Sequence, residues 1–144
     1  MPENMTVEHR RTFLTAGTRT AKIASLRTDG RPHAVPVWFV LDGDDIVCTV
    51  SEKSVKARNI ARDPRVTVVV DDETAPYAFV SIEGHAELSH DTDELRRIAG
   101  DIGHRYLDDE QQAIAGFVGY MTSPGMVVAR IRPTHIVAQD KIAG

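Results

Sequence analysis

The chain has 144 residues, 42% of them hydrophobic and 26% charged, with a formal net charge of −4 and one cysteine. A chain of this length fits one domain that buries its core without metal or disulfide support. A single cysteine excludes an intrachain disulfide framework, and the acidic balance argues against general nucleic-acid binding.

The opening residues, Met1-Pro2-Glu3-Asn4-Met5, show no basic stretch followed by an apolar one, so no signal peptide is expected. The apolar runs are too short to span a bilayer, and with the lone thiol they fit a cytoplasmic protein. Residues 6–16 are predicted as a short helix with Val7, Phe13 and Leu14 toward the core. Residues 20–27 read as a strand running into Thr28-Asp29-Gly30-Arg31. Asp-Gly between two strand-like runs signals a two-residue hairpin, because both central positions need positive φ. The return strand covers residues 32–41, and Pro36 inside it marks an edge or a bulge, since proline cannot donate to a ladder.

Asp42-Gly43-Asp44-Asp45 is the next turn, and residues 46–51 form a third, β-branched strand, giving an antiparallel meander. Cys48 lies in this run and reads as a buried thiol. Ser54 is placed to cap a helix over residues 55–62, which Asp63-Pro64 ends. Residues 65–70 carry Val66, Val68, Val69 and Val70 with almost no alternation, the pattern of a strand covered on both faces. After a polar loop over residues 71–76, residues 77–88 read as a long strand with Gly84 at a bulge. Residues 91–106 and 109–120 read as two helices joined near Leu107-Asp108. Ser123-Pro124-Gly125 is a turn, residues 126–132 form a sixth strand that Pro133 breaks, and residues 135–138 form a last short one. Short sequential antiparallel strands with inserted helices indicate a mainly β (α+β) fold, a barrel with appended helices. The chain divides into an N-terminal helix (1–16), a barrel core (17–88), a helical insertion (89–122) and closing strands (123–140), all in one domain.

There is no glycine-rich phosphate loop and no nucleophile elbow. The histidines (His9, His33, His85, His90, His104 and His135) show no i, i+4 spacing on a helix and no pairing with cysteines, so no metal site is expected. The informative segment is residues 51–65, SEKSVKARNIARDPR, where Lys53, Lys56, Arg58, Arg62 and Arg65 face only Glu52 and Asp63. A charge run by itself fits a solvated helix face. Here Ser54 caps a helix whose first turn holds Lys56, so a hydroxyl, open backbone N–H groups and an ammonium converge as a phosphate requires. Lys56 and Asn59 are three apart and share a face. Arg58 and Arg62 lie on another face, suited to pairing at the surface or across a dimer interface.

These residues carry a resemblance. IVCTVSEKSVKARNIARDPRVTVVV preceded by TDGRPHAVPVWFVLDGD resembles the pyridoxamine 5′-phosphate oxidase-like superfamily of split β-barrel flavin proteins. The shared pattern is hairpin, strand, a short helix with S-x-K-x-x-N, Asp-Pro-Arg, and a valine-rich strand. It is similar above all to the branch of small reductases that use the deazaflavin coenzyme F420, with a Pro-Val-Trp-Phe strand and a Lys-x-Arg-Asn helix start. The resemblance spans about residues 15–140 and implies a six- to seven-stranded antiparallel split barrel with inserted and flanking helices. It further implies a homodimer with two cofactors, each in a groove between subunits.

Carried over, Lys56 matches the lysine that holds the cofactor phosphate, with Ser54 and Asn59 as neighbours and Lys53 within reach. Pro36, Val37 and Trp38 match the strand along the ring system, and Thr49, Ser51 and Arg58 complete the implied cofactor-binding set. Lys53, Arg58 and the partner subunit's Arg130 and Arg132 are candidates for the anionic oligoglutamate tail, although Arg130 and Arg132 also fit ordinary charge on an edge strand. The vitamin-B6 oxidases use an arginine near position 35 and a lysine near position 40 to hold FMN, whereas this chain has Val35 and Val40. That departure favours F420 over FMN. The implied activity is hydride transfer between the deazaflavin and a small electron-poor substrate. The alternatives are an FMN-dependent oxidase or reductase, or a non-catalytic binder of F420 or flavin. No side chain stands out as a proton donor, so no catalytic residue is assigned.

Overall fold

The computed structural model describes residues 2–108 and 110–142. In chain order its elements are β1 (Glu3–Asn4), α1 (Val7–Thr15), β2 (Ala21–Leu26), β3 (Pro32–Val37), β4 (Val40–Asp42), β5 (Asp45–Ser51), α2 (Val55–Arg62), β6 (Arg65–Asp72), β7 (Ala78–Ser89), α3 (Thr92–Tyr106), α4 (Gln111–Met121) and β8 (Met126–Asp140). The expected start of the second inserted helix, Asp109, lies outside the described residues. The sheet has eight strands, in the order β3-β2-β6-β7-β8-β5-β4, with β1 added alongside β8. All pairings are antiparallel. The two ends of this path, β3 and β4, are consecutive in the chain and separated only by Trp38 and Phe39. The chain therefore closes the sheet into an α+β split barrel.

The turn after β2 is not the expected two-residue hairpin: Gly30 has φ +86°, but Asp29 does not take a positive φ. The Gly30 N–H donates to the Arg27 carbonyl and the Arg27 N–H to the Arg31 carbonyl, both at 2.9 Å, which leaves Thr28, Asp29 and Gly30 as a three-residue loop with only its glycine left-handed. The local chemistry behaves as the sequence requires at several other points. Pro36 sits on β3, an edge strand that pairs only with β2. Thr6 caps α1, which buries Phe13 and Leu14, whereas Val7 is 58% exposed and makes no core contact.

Four further expectations are corrected. The meander does not form, because residues 32–41 split at Trp38-Phe39. The first part pairs with β2 and the second with β5, at opposite ends of the sheet path. The reason is that Phe39 is fully buried and turns its N–H and carbonyl to side chains of α3 rather than to a ladder. Secondly, β6 alternates: Val66, Val68 and Val70 are buried, while Thr67 and Val69 are half-buried on the other face. Thirdly, β8 runs through Pro133 without ending. The register against β7 shifts between Glu83 and Gly84, which pair with His135 and Pro133, leaving Thr134 as the extra residue. A bulge takes up a proline because it needs no donor there. Gly84 belongs at this spot, since a Cβ would lie 2.6 Å from the Arg132 carbonyl oxygen.

Lastly, β8 is a central strand, not an edge, and its arginines are engaged. Arg130 donates to Asp42 at 2.8 Å and to Asp45 at 3.0 Å, and Arg132 donates to Glu87 at 3.1 Å. The barrel core is built from Ile23, Phe39, Ile46, Val68, Val80, Ile82 and Ile131. A second cluster (Val47, Leu95, Ile98, Ile102 and Val128) seats α3 on the outer side of β5 and β8.

The Arg130 guanidinium holds the Asp42 carboxyl below its ordinary value of 3.8. A carboxylate depressed in the folded state contributes stability that is complete above pH 3.8 and lost as the pH falls through the folded value. Asp42→Asn should therefore lower the thermal midpoint at neutral pH. By circular dichroism, its midpoint should also fall less steeply than that of the wild type below about pH 4.

Candidate functional site

The barrel seam opens onto a cleft. Pro36, Val37 and Trp38 at the end of β3, Thr49 of β5 and Lys56 of α2 line one cavity of about 180 Å³. Its far wall is Ile102 of α3 with Phe117 and Met121 of α4. Half of the ten residues expected to bind a cofactor thus meet at one place.

The others are distributed around the start of α2 and its opposite side. Ser54 Oγ accepts the Ala57 N–H at 3.2 Å and donates to the Ser51 carbonyl at 2.7 Å. This is the expected N-cap, and it satisfies one of the donors a helix start leaves open. Ser51 Oγ accepts the Lys53 N–H at 3.3 Å, so Ser51, Lys53 and Ser54 build the turn that aims α2. Asn59 does not join Lys56. It is buried, its Nδ2 donates to Ser25 Oγ at 3.0 Å, and its Oδ1 accepts from Arg62 at 3.2 Å. A spacing of three leaves two side chains about 60° apart on a helix, enough to turn Lys56 to the cleft and Asn59 to β2. Arg58 lines a different pocket, together with Asn59 and Arg62.

Trp38 owes its position to α3. Its indole stacks on the Tyr106 ring with centroids 4.9 Å apart and planes 2° apart, and Phe117 packs against it at 5.5 Å. Tyr106 Oη donates to the Arg19 carbonyl at 2.7 Å and accepts the Phe39 N–H at 3.3 Å. Burial raises the Tyr106 phenol above its usual range, so it stays neutral. Arg105 donates to the carbonyls of Phe39 (2.9 Å), Leu14 (2.8 Å) and Gly17 (3.0 Å), and its guanidinium lies 4.5 Å from the Phe39 ring centroid. Sequence reasoning missed Ile102, Tyr106, Phe117 and Met121. The available signal was the placement of two aromatic rings in the helical insertion.

Behind Thr49, Cys48 is fully buried, and burial pushes its thiol up to about 12 against the pull of the nearby Lys56 charge. Among the described residues Lys56 is the one ionisable group lining the cleft. An ammonium, a hydroxyl, an indole and an apolar wall suit a flat ring bearing an anionic arm. Among the described residues, no His, Cys, Asp or Glu cluster is placed to hold a metal, and no helix is long and apolar enough to cross a membrane.

An antiparallel split barrel with a polar-apolar cleft at its seam defines the class of protein. The pyridoxamine 5′-phosphate oxidase family profile matches residues 6–140, and the chain belongs to that family. It is similar to a conserved hypothetical protein of Mycobacterium tuberculosis (28% identity, TM-score 0.85, covering 95% of this chain and 86% of that one). It is also similar to an F420 reductase (25% identity, TM-score 0.67, covering 90% and 95%). The heme storage protein HutZ of Vibrio cholerae shares the fold (17% identity, TM-score 0.72, covering 94% and 96%).

The Cys48 thiol should not react with a disulfide reagent such as 5,5′-dithiobis(2-nitrobenzoate) at about pH 8 while the protein is folded. One equivalent should react immediately in denaturant.

Proposed function

We propose that the protein is an F420-dependent oxidoreductase that acts on a small electron-poor organic substrate as a homodimer. The observation that carries this reading is the meeting of Lys56, Thr49 and the Pro36-Val37-Trp38 strand end in one cleft. The residues fit the coenzyme: Lys56 would hold its phosphate, Thr49 would offer a hydroxyl to it, and Val37 and Trp38 would lie along the ring. When bound, the deazaflavin supplies a hydride to the substrate. The chain's part is positioning and exclusion of water, which Trp38 performs by standing fixed between Tyr106 and Phe117. Neutral Tyr106 has its hydroxyl engaged with the backbone of Arg19 and Phe39, and solvent is the proton source. Support for this cofactor comes from Val35 and Val40, which lack the charges that hold FMN in the vitamin-B6 oxidases, and from the likeness to the F420 reductase.

Ligand sites commonly enclose about 300–1,000 Å³. The 180 Å³ of the cleft falls below that range, which supports a reading in which a second copy completes the groove. The sheet face next to it suits that copy. Pro36, Lys22, Val69, Ser81 and Val137 form one row across β3, β2, β6, β7 and β8, and Val137 is 38% exposed.

Titration with F420 and with FMN should quench the emission of Trp38, the single tryptophan, with F420 binding more tightly. Lys56→Ala should lose roughly 1.5–3 kcal/mol of cofactor binding, about tenfold or more in affinity, with the fold unchanged. Tighter binding of FMN, or unaltered affinity in Lys56→Ala, overturns the reading. Light scattering should give twice the 15.9 kDa chain mass, and Val137→Glu should shift the protein toward monomer and weaken F420 binding with it.

A further inference from the structure

The basic run over residues 51–65 contributes only Lys56 to the cleft. Of its other cations, Lys53 is solvent-exposed and Arg65 pairs with Asp63. Arg58 and Arg62 line a second pocket of about 390 Å³ together with Arg27, Thr28, Asp29 and Arg31 of the β2–β3 turn and with Val55 and Asn59 of α2. Four arginines thus surround one space in a chain whose net charge is −4. The single carboxylate present, Asp29, is taken by Arg31, whose Nε donates to it at 2.8 Å. Among the described residues Arg27 and Arg58 have no ion-pair partner.

The four guanidiniums are solvent-exposed and gather their charge around one space. Arg58 and Arg62 are four apart on α2, and like charges at that spacing repel. Across the pocket, the turn that pairs Arg27 with Arg31 brings two more guanidiniums. One of the four is already fixed. Arg62 Nη2 donates to the Leu26 carbonyl and to Asn59 Oδ1, and Asn59 is tied in turn to buried Ser25. A guanidinium held this way offers its remaining N–H groups in a set direction before any ligand arrives. Guanidinium forks match phosphate and carboxylate oxygens two at a time. Several forks around a space larger than one oxyanion call for a ligand with several anionic groups in a row.

We propose that this pocket is a binding site for a small oligoanion, a chain of phosphates or carboxylates, separate from the Lys56 cleft. Arg62 forms the preset floor, and Arg27 and Arg58 close on the ligand from the two sides. The helix α2 thereby serves two sites, Lys56 turned to one and Arg58 and Arg62 to the other. The inference does not depend on the identity of the cofactor.

Calorimetric titration of the purified protein at low ionic strength tests it, with inorganic triphosphate, citrate and inorganic phosphate as probes. Triphosphate or citrate should bind at least tenfold more tightly than phosphate, and whichever of the two binds more tightly identifies the oxyanion class. The double variant Arg27→Ser/Arg58→Ser should lose at least tenfold of that affinity while keeping its thermal midpoint. Lys56→Ala should keep the oligoanion affinity. No oligoanion heat in the wild type, unchanged affinity in the double variant, or loss of affinity in Lys56→Ala would each overturn the proposal.

Discussion

Closure of the barrel depends on one cation. Where the chain passes from β3 to β4 it leaves the ladder for two residues, and Phe39 enters the core with its backbone polar groups unpaired by any strand. Buried backbone groups must find partners elsewhere or cost stability. Arg105 donates to four carbonyls, those of Leu14 in α1, of Ala16 and Gly17 after it and of Phe39 itself, and Tyr106 takes the Phe39 N–H. Among the described residues Arg105 has no carboxylate partner, so burial lowers its pKa from the usual arginine value. Carbonyl dipoles and the faces of Phe39 and Tyr106 compensate the charge instead. Removing this side chain would unfasten α1, α3 and the seam together.

The site inherits its order from that fastening. Trp38 precedes the anchored Phe39, and its indole is stacked on the ring that anchors it. The same helix carries Ile102, and through α4 brings Phe117 and Met121 to the opposite wall. The cleft is thus made by the seam of the barrel and by a helical pair inserted between β7 and β8. The other side of the cleft is set by the Ser54 cap, which fixes where α2 begins and so which of its side chains reach the seam.

Local rules read from the sequence hold wherever a residue's own chemistry decides. The Ser54 cap, the edge position of Pro36, the bulge beside Gly84 and the buried Cys48 are of this kind. The errors lie where tertiary partners override a local pattern. Nothing within residues 32–41 announces that Arg105 and Tyr106, more than sixty positions away, divide that strand. The valine run of β6 suggests two covered faces, but its register with β2 and β7 buries every second residue (Val66, Val68 and Val70) and leaves Val69 half-buried. Pro133 reads as a stop until a bulge on β8 is seen to accommodate it. Asn59 carries a motif position, yet the nearness of Ser25, which no spacing reveals, binds its amide. Five members of the cleft were legible because a strand end, a β-branched strand and a capped helix meet there. The far wall was not, because it depends on where the inserted helices fold back.

The place of β8 in the barrel carries a consequence for how the protein is made. It stands between β7 and β5 and also receives β1, yet it follows every other strand in the chain. Until it emerges from the ribosome, β5 and β7 each present an open edge, and the two halves of the sheet have no seam in common. Pairing of strands far apart in sequence is slow and leaves such edges exposed meanwhile. Up to α4 the sheet is therefore in two parts, and β8 is the strand that joins them into a barrel.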